Sequence, residues 1–176
     1  MTRTEVRLAG FGGQGIILAG YLLGKAAALY DGQHAVLTQA YGPEARGGAC
    51  NADVVISDAP VDYPEVSNPS VMVVMSQEAA GTFLSGLSAD GLALFDSGLV
   101  DPPWEGRRFS LPATDIADRL GRRIVANVVM LGYFAATTQL VSRTALEEAI
   151  RTTVRPQTID LNLRALAAGF TQEAAA

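Results

Sequence analysis

The segment Gly10-Phe11-Gly12-Gly13-Gln14-Gly15 constrains this chain more than any other, because of what stands on either side of it. Glu5-Val6-Arg7-Leu8-Ala9 alternates toward an apolar end, as a strand does, and Ile16 to Tyr30 is apolar all round with one lysine, as a helix between a sheet and a second layer is. A strand that stops at a glycine turn and restarts as a helix opens a β-α unit. Its backbone amides gather at the helix's positive end, where an anion is stabilised. The spacing Gly10-x-Gly12-x-x-Gly15 also satisfies a dinucleotide fingerprint. A plainer reading stays open beside it, in which the glycines only let strand and helix pack closely.

The rest of the chain repeats the alternation. His34–Gln39, Ala52–Ser57, Ser70–Met75, Gly91–Phe95 and Arg108–Leu111 read as further strands. Between and after them, helices are expected over Gln77–Leu84, capped by Ser76, and over Ala113–Leu120, capped by Thr114. A long apolar helix follows to Leu140, opened by Asn127 or its neighbours, then one behind the capping-box pattern Thr144-Ala145-Leu146-Glu147, and a last over Thr158–Ala168. Short β-branched strands alternating with helices call for an α/β fold: a three-layer, doubly wound, mostly parallel, Rossmann-like sheet with a helical C-terminal part. With no repeat or linker, residues 1–176 make one domain, with 170–176 as a frayed tail.

Composition narrows the chemistry. Of 176 residues 49% are hydrophobic and 18% charged, enough to bury one sizeable core, which excludes disorder. A net charge of −5, with only Arg107–Arg108 and Arg122–Arg123 clustered, argues against nucleic acid. One cysteine, Cys50, and one histidine, His34, cannot make an iron–sulfur or structural zinc site, so no metal is expected here. Cys50, between Ala49 and Ala52 in its neighbourhood, reads as an inert buried thiol, and His34 as an edge residue. Asp53 and Asp58 lack companions for a metal site. The lone thiol and an N-terminus without a signal sequence point to the cytoplasm, and the polar residues within Ile124–Val141 make it a buried helix rather than a membrane span.

The second unusual segment is Tyr41-Gly42-Pro43-Glu44-Ala45-Arg46-Gly47-Gly48. It follows the C-terminal end of the second strand, so it belongs on the same sheet edge as the glycine loop, where ligands bind in open α/β sheets. A nicotinamide site would also need an acidic residue closing that strand, but Thr38-Gln39-Ala40 stands there and Asp31 falls in the turn before it. A stand-alone NAD- or FAD-binding domain is therefore the weaker of two readings.

The stronger one rests on a resemblance. The two loops, followed by Ala52–Asp58, Met75-Ser76-Gln77-Glu78-Ala79 and Ala126-Asn127-Val128-Val129-Met130-Leu131-Gly132, resemble the gamma subunit, or gamma domain, of the 2-oxoacid:ferredoxin oxidoreductases over nearly the whole length. The unbroken Gln39-to-Gly48 form looks most like the 2-oxoglutarate enzymes. The resemblance implies an oxidoreductase subunit, inactive alone, in a complex that converts a 2-oxoacid and coenzyme A to an acyl-CoA and carbon dioxide while reducing ferredoxin. It places thiamine diphosphate, Mg2+ and iron–sulfur clusters in alpha, beta or delta subunits, and leaves this chain assembly, cover of the active site and the coenzyme A end of it.

On that reading the cofactor-binding candidates are Gly12, Gly13, Gln14 and Gly15 toward the diphosphate, Arg46 toward a phosphate or carboxylate, Glu44 to orient Arg46, Tyr41 against ligand or partner, and Asn127 as a cap or a ligand contact. The alternative for the Tyr41, Glu44 and Arg46 set is an intersubunit contact that touches no ligand.

Overall fold

The computed structural model describes residues 2–41 (40 and 41 as backbone), 48–101 and 104–172. Six strands form one sheet: β1 (Arg3–Phe11), β2 (His34–Tyr41), β3 (Ala49–Ser57), β4 (Val71–Val74), β5 (Leu92–Asp96) and β6 (Arg108–Leu111), in the order β2-β3-β1-β4-β5-β6. The helices are α1 (Ile16–Lys25), α2 (Gln77–Phe83), α3 (Ala113–Arg119), α4 (Ala126–Thr138), α5 (Arg143–Arg151) and α6 (Ile159–Phe170).

Side-chain alternation along the central strands builds the two faces. Val6 and Leu8 of β1, Val71 and Val73 of β4, and Leu92 and Leu94 of β5 join one core with α1, α3, α4, α5 and α6. Ala9, Met72, Val74, Ala93 and Phe95 point the other way, into a smaller core under α2 and Val100. The expected three layers are present. So is the expected buried helix: ten consecutive residues of α4, Ala126 to Ala135, are enclosed, which a helix can be only when packed on all sides. No helix among the described residues is long and apolar enough to cross a membrane.

Five strands run one way, and the exception matters for the site. β3 is antiparallel to both β1 and β2, so β2 and β3 form a hairpin inserted beside β1 in place of a plain β-α-β neighbour. The register sets Phe11 opposite Ala49 and Tyr41 opposite Cys50. The turn of the hairpin thereby starts and ends at the C-terminal end of β1.

Local starts and stops differ from expectation where a tertiary partner intervenes. Ser76 does cap α2, accepting the Ala79 N–H at 3.2 Å. Thr114 does not cap α3, which begins one residue earlier; its N–H and hydroxyl donate to the buried Asp96 carboxylate at the end of β5. The cap of α5 is Ser142 rather than Thr144, and Ser142 is itself held by Asp31 through its N–H and hydroxyl, at 2.6 and 2.7 Å. Asn127 lies one residue inside α4, with Val125 at the cap position. The first helix is regular only to Lys25, and Ala26–Tyr30 forms a π-helical turn before β2. α6 runs to Phe170, so the tail expected from 170 begins inside a helix, and 173–176 lie outside the described residues.

Candidate functional site

The glycine loop and the two described ends of the β2–β3 turn lie at one sheet edge. The Gly12 N–H faces the Gly48 carbonyl at 3.4 Å, tying the glycine loop to the end of the hairpin turn. Glu44 and Arg46, and the side chain of Tyr41, lie outside the described residues; the register of β1, β2 and β3 sets the backbone of Tyr41 and Ala49 beside the end of β1.

The four glycines do different work. At Gly10 an added Cβ would stand 2.6 Å from both Gln14 Oε1 and Ile16 Cδ1, and at Gly15 it would overlap the Asn127 amide. These two glycines make room for side chains of the protein itself. Gly13, with φ of 103°, has nothing within 4 Å of such a Cβ, and Gly12 and Gly13 are exposed on the edge. Gly15, at φ of 73°, occupies the cap position of α1 in the left-handed region that favours glycine, and no side chain caps the helix there. The N–H of Gly13 has no partner among the described residues, and the first N–H groups of a helix have none within it. Donors without acceptors at a positive helix end are suited to an anion.

Gln14 and Asn127 both face inward. Gln14 Oε1 accepts the Phe11 N–H at 2.7 Å and its Nε2 donates to the Met75 carbonyl, where β4 gives way to α2, at 2.8 Å. Asn127, 3% exposed, donates Nδ2 to the Gly15 carbonyl at 2.9 Å, while its Oδ1 accepts the Val128 N–H at 2.9 Å. The Met75 carbonyl is the anchor that sequence reasoning misses, since a main-chain acceptor carries no residue signature.

The remaining candidates fall as follows. Cys50 is buried opposite Gly10 in β3, and burial pushes its thiol above the ordinary value, which leaves it neutral and a poor nucleophile. His34 is exposed at the start of β2, the far end from the glycine loop. Asp53 receives Arg7 through two parallel bonds, at 2.8 and 2.7 Å, and Asn51 at 2.9 Å. Asp58 takes the N–H and hydroxyl of Thr2, which hold its carboxyl below the usual range. Among the described residues no three His, Cys, Asp or Glu side chains gather as a metal site would require. Among the described residues no acidic partner for a dinucleotide ribose stands at this edge, since Asp31 precedes β2 at the opposite end and is engaged by Ser142.

The fold and the glycine loop together define a Rossmann-like α/β protein with unpartnered backbone donors, among the described residues, at the N-terminus of its first helix. The model of the pyruvate ferredoxin/flavodoxin oxidoreductase family matches residues 5–172. The 2-oxoglutarate synthase subunit KorC of Methanothermobacter thermautotrophicus is 49% identical over 176 residues, 95% of this chain and 93% of that one. A solved structure, the gamma subunit of a keto/oxoacid ferredoxin oxidoreductase from Geobacter sulfurreducens, is 39% identical and superposes with a TM-score of 0.88 over 97% of this chain and 95% of its own. The 2-oxoglutarate:ferredoxin oxidoreductase of Magnetococcus marinus, solved with 2-oxoglutarate, coenzyme A and succinyl-CoA bound, shares the fold alone, at 21% identity and a TM-score of 0.86, with this chain matching 30% of its length. The chain belongs to the pyruvate ferredoxin/flavodoxin oxidoreductase family, as a gamma subunit of an oxidoreductase.

Proposed function

We propose that this chain serves a cytoplasmic enzyme that converts 2-oxoglutarate and coenzyme A to succinyl-CoA and carbon dioxide, with the two electrons passing to ferredoxin, and that its own part is to close the coenzyme A end of the site. The observation that carries this reading is the contact of the glycine loop with Gly48, at the end of the hairpin turn, beside donors that have no partner among the described residues at Gly13 and the α1 N-terminus. The chemistry of a diphosphate suits those donors. Gly12, Gly13 and Gly15 supply the backbone of this cradle, Arg46 the charge for a phosphate or carboxylate, Glu44 the orientation of Arg46, and Tyr41 a packing surface.

The electron-transfer and carbon chemistry belongs to alpha, beta or delta partner subunits. A single buried cysteine cannot supply the thiolates of an iron–sulfur cluster, and the described residues hold no carboxylate set for the Mg2+ of thiamine diphosphate. Thiamine diphosphate supplies the electron sink for decarboxylation. The gamma chain contributes position, cover and a phosphate contact.

The test is anaerobic purification of the chain with whatever accompanies it, then dye reduction with 2-oxoglutarate, pyruvate, a branched-chain 2-oxoacid and indolepyruvate, each with and without coenzyme A. Reduction that requires coenzyme A and is fastest with 2-oxoglutarate is expected; preference for another oxoacid overturns the substrate, and a lone chain that retains NAD or FAD overturns the reading. In the assembled complex, Arg46→Ala should raise KM for coenzyme A or the 2-oxoacid by about tenfold, the worth of one charge-assisted bond. Unchanged constants with assembly intact would make Arg46 a structural contact.

A further inference from the structure

Two amide side chains at the glycine loop, Gln14 and Asn127, bond inward to the protein's own backbone. We infer that Gln14 and Asn127 are positioning residues, which clamp the loop from inside and hold its open amides in place for the ligand without touching it. The inference rests on the reading of this edge as the coenzyme A site.

Gln14 reaches back across its own turn. One end of its amide fixes the Phe11 N–H at 2.7 Å and the other fixes the Met75 carbonyl at 2.8 Å, so one side chain sets the loop's entrance and joins it to the end of β4. Met75 is itself bonded to the strand before the loop, its N–H donating to the Ala9 carbonyl at 2.9 Å. The Gln14 side chain can take this path only because position 10 is glycine. Asn127 holds the other end. It is buried, it donates to the Gly15 carbonyl at 2.9 Å, and it can lie there only because position 15 is glycine. The block behind Asn127 is stiff: α4 and α6 are in backbone contact at Gly132 and Gly169, where any Cβ would overlap the Leu166 and Val129 carbonyls respectively. A rigid helix pair therefore dictates where the cap residue of α1 sits, and Gln14 dictates where the loop begins. Gly12 and Gly13, between the two clamps, are left exposed, and the Gly13 N–H has no partner among the described residues.

The test uses the assembled complex carrying Gln14→Met, Asn127→Ala or both, and two readouts. The first is hydrogen exchange of the peptide spanning residues 10–18 without ligand. The second is kcat/KM for coenzyme A and for pantetheine, which keeps the thiol arm and lacks the diphosphate. Each single variant should exchange faster in the ligand-free state and lose about tenfold in kcat/KM for coenzyme A, with pantetheine unchanged, and the double variant should lose less than the product of the two. Coenzyme A losses with unchanged ligand-free exchange would make these side chains direct ligand contacts and overturn the proposal. So would no change in either readout. If the unsubstituted complex does not distinguish coenzyme A from pantetheine, the diphosphate reading of the edge fails instead, and ligand-free exchange still decides whether the clamps exist. Should Gln14→Met not assemble, Gln14→Asn keeps the amide but withdraws it by one methylene, and the same two readouts apply.

Discussion

Asp96 ends β5 with its carboxylate enclosed, and its burial works against its charge. Oδ2 accepts the N–H and hydroxyl of Thr114 at 3.1 and 2.5 Å, and Oδ1 accepts the Gly98 N–H at 3.2 Å. Burial nevertheless raises its pKa above the ordinary 3.8, the hydrogen bonds offsetting only part of the cost. The folded chain therefore binds this proton more tightly than the unfolded one. The resulting stability is present below the ordinary carboxylate value and is lost as pH rises through the raised one. Denaturant melts across pH should find the stability of wild type relative to Asp96→Asn falling from pH 4 upward. A pH-independent difference would mean an ordinary carboxyl. Asp96→Ala should cost about 2–3 kcal/mol at pH 4 and less as pH rises, because it strands the two buried donors of Thr114. None of this was legible in the sequence, where the strand expected over Gly91–Phe95 stops one residue before the aspartate. Gln14 shows the same limit, since its place in a glycine motif suggests a ligand contact and only the fold reveals Phe11 and Met75 as its partners.

Between elements, stability rests on two contacts of opposite chemistry. α4 and α6 touch through Gly132 and Gly169, each facing a carbonyl of the other helix. Gly132→Ala must push the helices apart, and a loss of about 2–3 kcal/mol in a denaturant melt is expected, despite alanine's better helix propensity. A stabilised variant would show that the pair can separate freely. On the opposite face, Arg7 of β1 and Asp53 of β3 pair bidentately with side chains only 15% and 10% exposed, and Arg7 also reaches the Val66 carbonyl at 3.1 Å. Asp53→Ala leaves a guanidinium largely buried and should cost about 3 kcal/mol, whereas Arg7→Met with Asp53→Leu should recover most of it. A double variant as unstable as the sum of the singles would mean no coupling. The sequence shows both residues in strands of correct type. It does not show that they face each other, because periodicity carries side-chain alternation and no strand direction. The same gap hid the reversal of β3, which turned an expected β-α-β neighbour into a hairpin.

For the molecule as a whole, the chain's own sequence determined the fold class, the alternation of strands and helices, the glycine loop at the start of α1 and the family. These follow from local rules: apolar period, turn chemistry and a motif tied to its flanking elements. It also determined that this chain cannot carry clusters by itself, because one cysteine is a count and needs no geometry. What only the tertiary structure decided is which way β3 runs, which residues cap α3 and α5, and where the amides of Gln14 and Asn127 point. In each case the deciding partner is distant in sequence: β1 for β3, Asp96 for Thr114, Asp31 for Ser142, Met75 for Gln14 and Gly15 for Asn127. A buried polar group takes whatever partner the packed chain brings within reach, and that choice is made only when the layers close.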